Sequence, residues 1–314
     1  MKKYDLICVG MALIDSIIKG FNPEPVSVSG YQAISSSLNV GGEAVNEAIA
    51  ASKLGLKTRI MCCLGEDVAG EIVKDTLKKH SVDTELIVKS PQTPITTMFV
   101  KEDGSRKSII NEAHVYNFHP EKYTNVLTDA KVLILGSLFR APFDEPSIIN
   151  SVLTAAQKAD QIVIADTKPP RSKNLKLNDI ADSLSKIDYI TPNEDEARFF
   201  TNEEDPSKMA DVFLNYGVKN VIIKLGSKGC YFKNLKDEYT IPGYKIKAVD
   251  ATGAGDNFVA GFAAEILRSS TIKEALLFAN ACGAICTTEV GAGTALKNRQ
   301  QVLEWLDSNE YRED

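Results

Sequence analysis

The stretch Val249-Asp-Ala-Thr-Gly-Ala-Gly-Asp-Asn-Phe258 places two glycines and two acids among small residues. Phe258, Val259, Phe262, Ala263, Ile266 and Leu267 follow at helical spacing, so Gly253 to Asp256 open a helix. The first N–H groups of a helix lack intrahelical partners, and the helix dipole is positive there. A turn poor in side chains lets a phosphate approach those donors. Asp256 in that first turn has two readings. It can complement the dipole as a structural acid, or it can take a proton from an alcohol that attacks the phosphate.

The rest of the chain gives this helix a frame. Nearly continuous apolar runs at 5–9, 59–64, 131–135, 161–165, 187–190 and 220–225 read as strands buried on both faces. Helical patterns at 144–159, 207–216 and 271–287 intervene. This βαβ rhythm predicts a doubly wound, mostly parallel α/β sheet flanked by helices. Two segments depart from it, at about 14–39 and 93–119. The second holds Ile95-Thr-Thr-Met-Phe-Val-Lys101 and the run 107–111 on either side of Glu102-Asp-Gly-Ser105, a hairpin signal. Together these segments are expected to form a small β-sheet lid on a single domain spanning residues 1–314. The apolar alternation in the lid makes a second copy of the chain a candidate partner.

Composition excludes several classes. At 314 residues, 44% hydrophobic and 25% charged, the chain can bury a full core. A net charge of −6 argues against a broad nucleic-acid surface. No apolar stretch approaches bilayer length, and the short run after Asp5 reads as a strand, so a cytoplasmic protein without membrane contact is expected. Cys8, Cys62, Cys63, Cys230, Cys282 and Cys286 form no Cys-x-x-Cys pair and read as buried free thiols. Neither a P-loop nor a Gly-x-Gly-x-x-Gly fingerprint occurs.

Asp250-Ala-Thr-Gly-Ala-Gly-Asp256 resembles the Asp-Thr-x-Gly-Ala-Gly-Asp signature of the PfkB/ribokinase family of carbohydrate kinases, with only the Ala251-Thr252 order varied. A second segment, from Asn39-Val-Gly-Gly-Glu-Ala-Val-Asn46 to Gly55, resembles that family's sugar-binding segment. The resemblance implies ATP-dependent phosphorylation of a hydroxymethyl group on a small sugar or sugar derivative. It implies that Asp256 is the base and that the N–H groups of Gly253, Ala254 and Gly255 form an anion hole. Asp15, Gly41, Gly42 and Asn46 would hold the sugar. Asn46 also lies off its helix's Ala44/Val45/Ala48/Ile49 face, free to point at a ligand.

Asn193-x-x-Glu196 resembles the family's magnesium and phosphate motif, with Glu196 acting on Mg2+ through water. The same residues also read as a helix cap with a capping-box acid. The segment containing Lys224 and Gly226 resembles the strand and turn that line the nucleotide, and Asn280 matches a position near the adenine. Lys224 stands where many relatives carry a small hydroxyl residue; it either meets a phosphate or is a solvated lysine. Several relatives bind a monovalent cation, and Asp250 with Thr252 would hold a K+ ion here. Cys282 and Cys286 read as packing residues.

Ribokinases carry an acid at the end of the strand at 131–135, where this chain has Ser137. Arg106 and Arg140 would meet an acidic or phosphorylated sugar, or lie in solvent. Two alternatives stand beside the sugar kinase. One is a nucleoside kinase of the same family, with Phe99, Tyr116 and Phe118 as a base shelf. The other is a non-catalytic sugar-binding regulator.

Overall fold

The computed structural model describes residues 2–20, 32–101, 106–110, 118–171 and 174–311. In chain order the first half holds β1 (Tyr4–Val9), β2 (Leu13–Lys19), β3 (Ser35–Gly41), α1 (Glu43–Lys53), β4 (Thr58–Met61), β5 (Cys63–Gly65), α2 (Val68–Lys79), β6 (Val88–Ser90), β7 (Ile95–Val100) and β8 (Arg106–Ile110). There follow α3 (Thr124–Leu127), β9 (Ala130–Leu138), α4 (Pro146–Lys158), β10 (Ile162–Thr167), α5 (Ala181–Leu184), β11 (Tyr189–Ile190), α6 (Glu194–Thr201) and α7 (Pro206–Asn215). The chain ends with β12 (Asn220–Lys224), β13 (Gly229–Asn234), β14 (Glu238–Pro242), α8 (Ala254–Ile266), α9 (Ile272–Cys286) and α10 (Arg299–Ser308).

Eight strands form the main sheet in the order β14-β13-β12-β11-β10-β9-β1-β4. The six from β12 to β4 run parallel, and β13 and β14 add an antiparallel edge. Alternate side chains of the central strands enter two cores. Leu6, Cys8, Val132, Ile134 and Ile164 pack with α1, α8 and α9 on one face. Ile7, Val9, Leu133, Leu135 and Val163 pack with α4 and α7 on the other. Burial on both faces is why these runs are continuously apolar.

A separate four-stranded sheet has the order β3-β2-β7-β8. It contains the expected hairpin, with Phe99 opposite Lys107 in an antiparallel ladder. Residues 21–31, 102–105 and 111–117 of the expected lid segments lie outside the described residues.

One expected strand is corrected. The run 59–64 is two strands, because the chain leaves the main sheet at Cys62. Cys63–Gly65 pairs instead with Val88–Ser90 in a sheet of its own. Apolar continuity reports burial, and both halves are buried. The strand expected at 131–135 extends to Leu138, so Ser137 lies within it. All six cysteines are free and buried. Among the described residues, no helix is long and apolar enough to cross a membrane.

Candidate active site

The site gathers at the C-terminal ends of β9 and β10, where α1 and α8 begin, the usual ligand edge of such sheets. Helix α8 starts at Gly253, whose φ of 76° is left-handed. A Cβ there would also collide with Ala292, so only glycine makes this turn. The N–H of Ala254 donates to Ala251 O at 3.3 Å. Gly255 lies against the Lys224 ammonium, with Nζ 3.2 Å from where a Cβ would stand.

Helix α1 enters from the opposite side. Gly42, at φ 98°, turns the chain over the Met11 carbonyl, where a Cβ would strike backbone. Gly41 lies against the Asp15 carboxylate. The turn aims Asn46 inward, and its Nδ2 donates to Asp256 Oδ2 at 2.7 Å. Asn46 was expected to point at a ligand; its amide faces Asp256. Both are about nine-tenths buried.

Electrostatics follow from this enclosure. Desolvation pushes the Asp256 carboxyl upward; Lys168 and the Asn46 hydrogen bond pull against it, and Asp166 adds to the rise. Burial and Asp256 raise Asp15 to about 6. Burial raises Glu43 to about 7 against the pull of Lys168. Desolvation alone would lower Lys168, but Asp166, Glu196, Asp256 and Glu43 together hold it firmly protonated.

Lys224 is not a solvated lysine. Its Nζ donates to Asp166 Oδ1 at 2.6 Å, on a side chain only 11% exposed. Asn193 and Glu196 form a reciprocal capping box at the start of α6, with bonds of 2.9 and 3.0 Å. Glu196 also accepts from Thr167 Oγ1 and Lys168 Nζ, at 3.2 and 3.3 Å. Both its oxygens are therefore engaged by the protein, which fits a contact with Mg2+ through water rather than a direct one.

Asp250 is committed too. It accepts from the N–H and Oγ1 of Thr252 and from the Gly291 N–H, so it ties the turn to the 291 loop. The carbonyls of Thr252 and Ala292 converge on Cys286 Sγ, each at 3.4 Å. A K+ ion held here would use such carbonyls more readily than the Asp250 carboxylate.

Beside Gly255, an apolar cleft of about 260 Å³ runs between the segment 243–248, α8 and α9, lined by Gly226, Tyr244, Phe258 and Asn280 among others. Asn280 is in its wall, but its amide donates to the carbonyls of Ile241 and Pro242 at 3.3 Å. It fastens β14 to α9 while it lines the cleft.

Sequence reasoning missed Glu43, Glu47, Asp166 and Lys168. Glu43 hydrogen-bonds with Ser137 Oγ from across the pocket. Arg140 is half-buried, donates from Nε to Pro169 O at 2.8 Å, and is held by Glu43 and Glu196, so it is not a solvent residue. The Arg106 side chain lies outside the described residues. The available signal was the pair Glu43/Glu47 at i, i+4 on a helix rich in alanine and other apolar residues, a costly placement unless the acids are used.

The pfkB family carbohydrate kinase pattern matches residues 3–299, and the chain belongs to that family. It is 30% identical over 272 residues to a ribokinase of Haemophilus influenzae, covering 85% of this chain and 87% of that protein. It is 30% identical over 312 residues to the probable fructokinase-5 of Arabidopsis thaliana, covering 93% and 94%. The structure of Arabidopsis thaliana ribokinase complexed with ribose and ATP matches with a TM-score of 0.84 at 25% identity, over 96% of this chain and 98% of that one. The chain is thus a sugar kinase of the PfkB/ribokinase family, a phosphotransferase with an alcohol acceptor.

These relatives do not favour the nucleoside-kinase alternative, and neither does the expected base shelf. Phe118 is 2% exposed and belongs to the core under α4. Tyr116 lies outside the described residues.

Proposed function

We propose that the enzyme transfers the γ-phosphoryl group of ATP to a hydroxymethyl group of a small sugar, with Asp256 as the base. The observation that carries this reading is the Asn46–Asp256 hydrogen bond. It joins the segment expected to hold the sugar to the group expected to deprotonate it.

In this reading Asp15, Glu43 and Asn46 bind the sugar hydroxyls, the carboxylates accepting and the amide doing both. Asp256, buried and raised, takes the hydroxyl proton as the oxygen attacks the phosphorus. The start of α8 and the Lys224 ammonium face the charge that moves onto the transferred group. The apolar cleft beside Gly255 takes the adenine. Mg2+ would enter with the nucleotide and neutralise phosphate charge, with the Asn193–Glu196 corner reaching it through water.

The β3-β2-β7-β8 sheet serves as the lid. It carries Asp15 on β2, paired with Asn39 of β3, so closing it brings a sugar ligand toward Asp256. Closure would exclude water and suppress ATP hydrolysis.

Glu43 shapes the choice of sugar. It sets a carboxylate beside Ser137, where ribokinases carry the acid on the strand itself. The test is ADP release from MgATP against pentoses, hexoses, sugar acids, sugar phosphates and nucleosides, each in K+ and in Na+. Turnover confined to one neutral sugar class supports the reading. Turnover confined to nucleosides overturns it, and equal rates in the two salts overturn the K+ site.

A further inference from the structure

Glu47 stands out among the described residues. It is fully buried on α1, and neither carboxylate oxygen has a hydrogen-bond partner among them. Asp166, at the end of β10, is also fully buried, and its Oδ2 is unpartnered. Oxygens of Glu47, Asp166 and Asp256 all lie within 4.8 Å of one another. An unpaired buried carboxylate is strongly unfavourable unless it is neutralised or bound to a cation. A neutral Glu47 would relieve the charge and still leave its oxygens without partners.

We propose that Glu47 and Asp166, with Asp256 closing the third side, form a divalent-cation seat that the chain offers before any nucleotide binds. Carboxylates from two separate elements suit a hard cation that keeps its remaining positions for water, one of which faces Asp256 and leaves that carboxylate available as the base. Oxygens bound to Mg2+ at about 2.1 Å stand about 3.0 Å apart when adjacent and about 4.2 Å apart when opposite, so the Glu47 and Asp166 side chains draw inward to bind it.

The surrounding charges agree. Asp256, Asp166 and Glu43 all act on Glu47 with the same sign, and Lys224 is the cation that opposes them. That ammonium is already bonded to the other oxygen of Asp166. Glu196 makes a poorer direct ligand, because Thr167, Asn193 and Lys168 hold its oxygens. The seat's direct ligands thus belong to α1 and β10, apart from the nucleotide-borne Mg2+ that the α6 corner would reach through water. The seat goes beyond the sugar-kinase reading and does not depend on it.

The test is Mn2+ titration of the full chain without nucleotide or sugar, followed by paramagnetic resonance, with Mg2+ as competitor. Wild type should bind one Mn2+ per chain, displaced by Mg2+. Glu47→Gln should weaken binding by at least about tenfold, and Glu196→Gln by much less. Asp166→Asn serves as the second ligand variant if Glu47→Gln does not fold. The seat is overturned if wild type binds no Mn2+ alone, if both ligand variants bind as wild type does, or if Glu196→Gln is the variant that loses binding. Sugar turnover measured on the same samples fails or survives separately.

Discussion

Asn46 Nδ2 lies 2.7 Å from Asp256 Oδ2, across 210 positions of sequence. The contact fixes the orientation of the carboxylate and favours its charged form. Replacing Asn46 by Ala removes a bond to a charged group, worth about 1.5–3 kcal/mol when formed. Asn46→Ala should therefore lower kcat/KM and move the acidic limb of its pH profile to higher pH, since the bond that lowers the Asp256 pKa is gone. Wild type should already show that limb above the ordinary carboxylate range, because burial raises Asp256. Rates of kcat/KM against pH for both proteins check this; an unmoved limb in the variant would contradict it.

The raised carboxyls also set how stability depends on pH. Asp15 rises to about 6 and Glu43 to about 7, so the folded chain holds these protons more tightly than the unfolded chain does. The unfolded state then binds fewer protons across that window, and stability falls as pH rises from about 4 to about 7. His80, lowered chiefly by burial, acts in the opposite direction. The Tm of the ligand-free chain should be higher at about pH 5.5 than at about pH 7.5. Glu43→Gln should reduce that difference. A difference unchanged in the variant would remove Glu43 as its source.

Gly253→Ala should damage both stability and activity. The residue is left-handed and a Cβ meets Ala292. Strain of this kind costs on the order of 1–3 kcal/mol, before the clash is counted. Denaturant unfolding should show a lower midpoint, and phosphoryl transfer should fall because the start of α8 shifts. A variant with wild-type midpoint and turnover would contradict the account of this turn.

The β3-β2-β7-β8 sheet leaves Leu38, Ile95 and Ile109 at least 39% exposed, with Ile34 exposed just before β3. Clustered apolar exposure of this sort marks an interaction surface. Two chains should therefore associate through these sheets. Sedimentation at micromolar concentration should give a dimer, and Leu38→Glu with Ile109→Glu should give monomer. A wild type that sediments only as monomer would remove the idea.

The start of α8, the hairpin of β7 and β8 and the alternation of strand and helix were legible because each is local. A left-handed glycine, a polar tight turn and a helical apolar stripe leave marks within a few residues. What stayed hidden depends on topology. Asp166 ends an apolar strand like many others, and only the neighbouring order of β9 and β10 brings it to Glu47. The run through Cys62 looked like one strand because both halves are buried, and apolar character does not name a pairing partner. Asn280 lines the cleft, and its bond to β14 could not be read from spacing.

The central claim is that Asp256 takes the proton from the sugar. It is tested most directly by single-turnover phosphoryl transfer from MgATP to the best sugar, comparing wild type with Asp256→Asn at equal sugar occupancy. The account predicts loss of the chemical step by about 10²–10⁴-fold, with sugar affinity changed far less. A variant that transfers phosphate at close to the wild-type rate would contradict it and return Asp256 to the role of a helix-terminal acid.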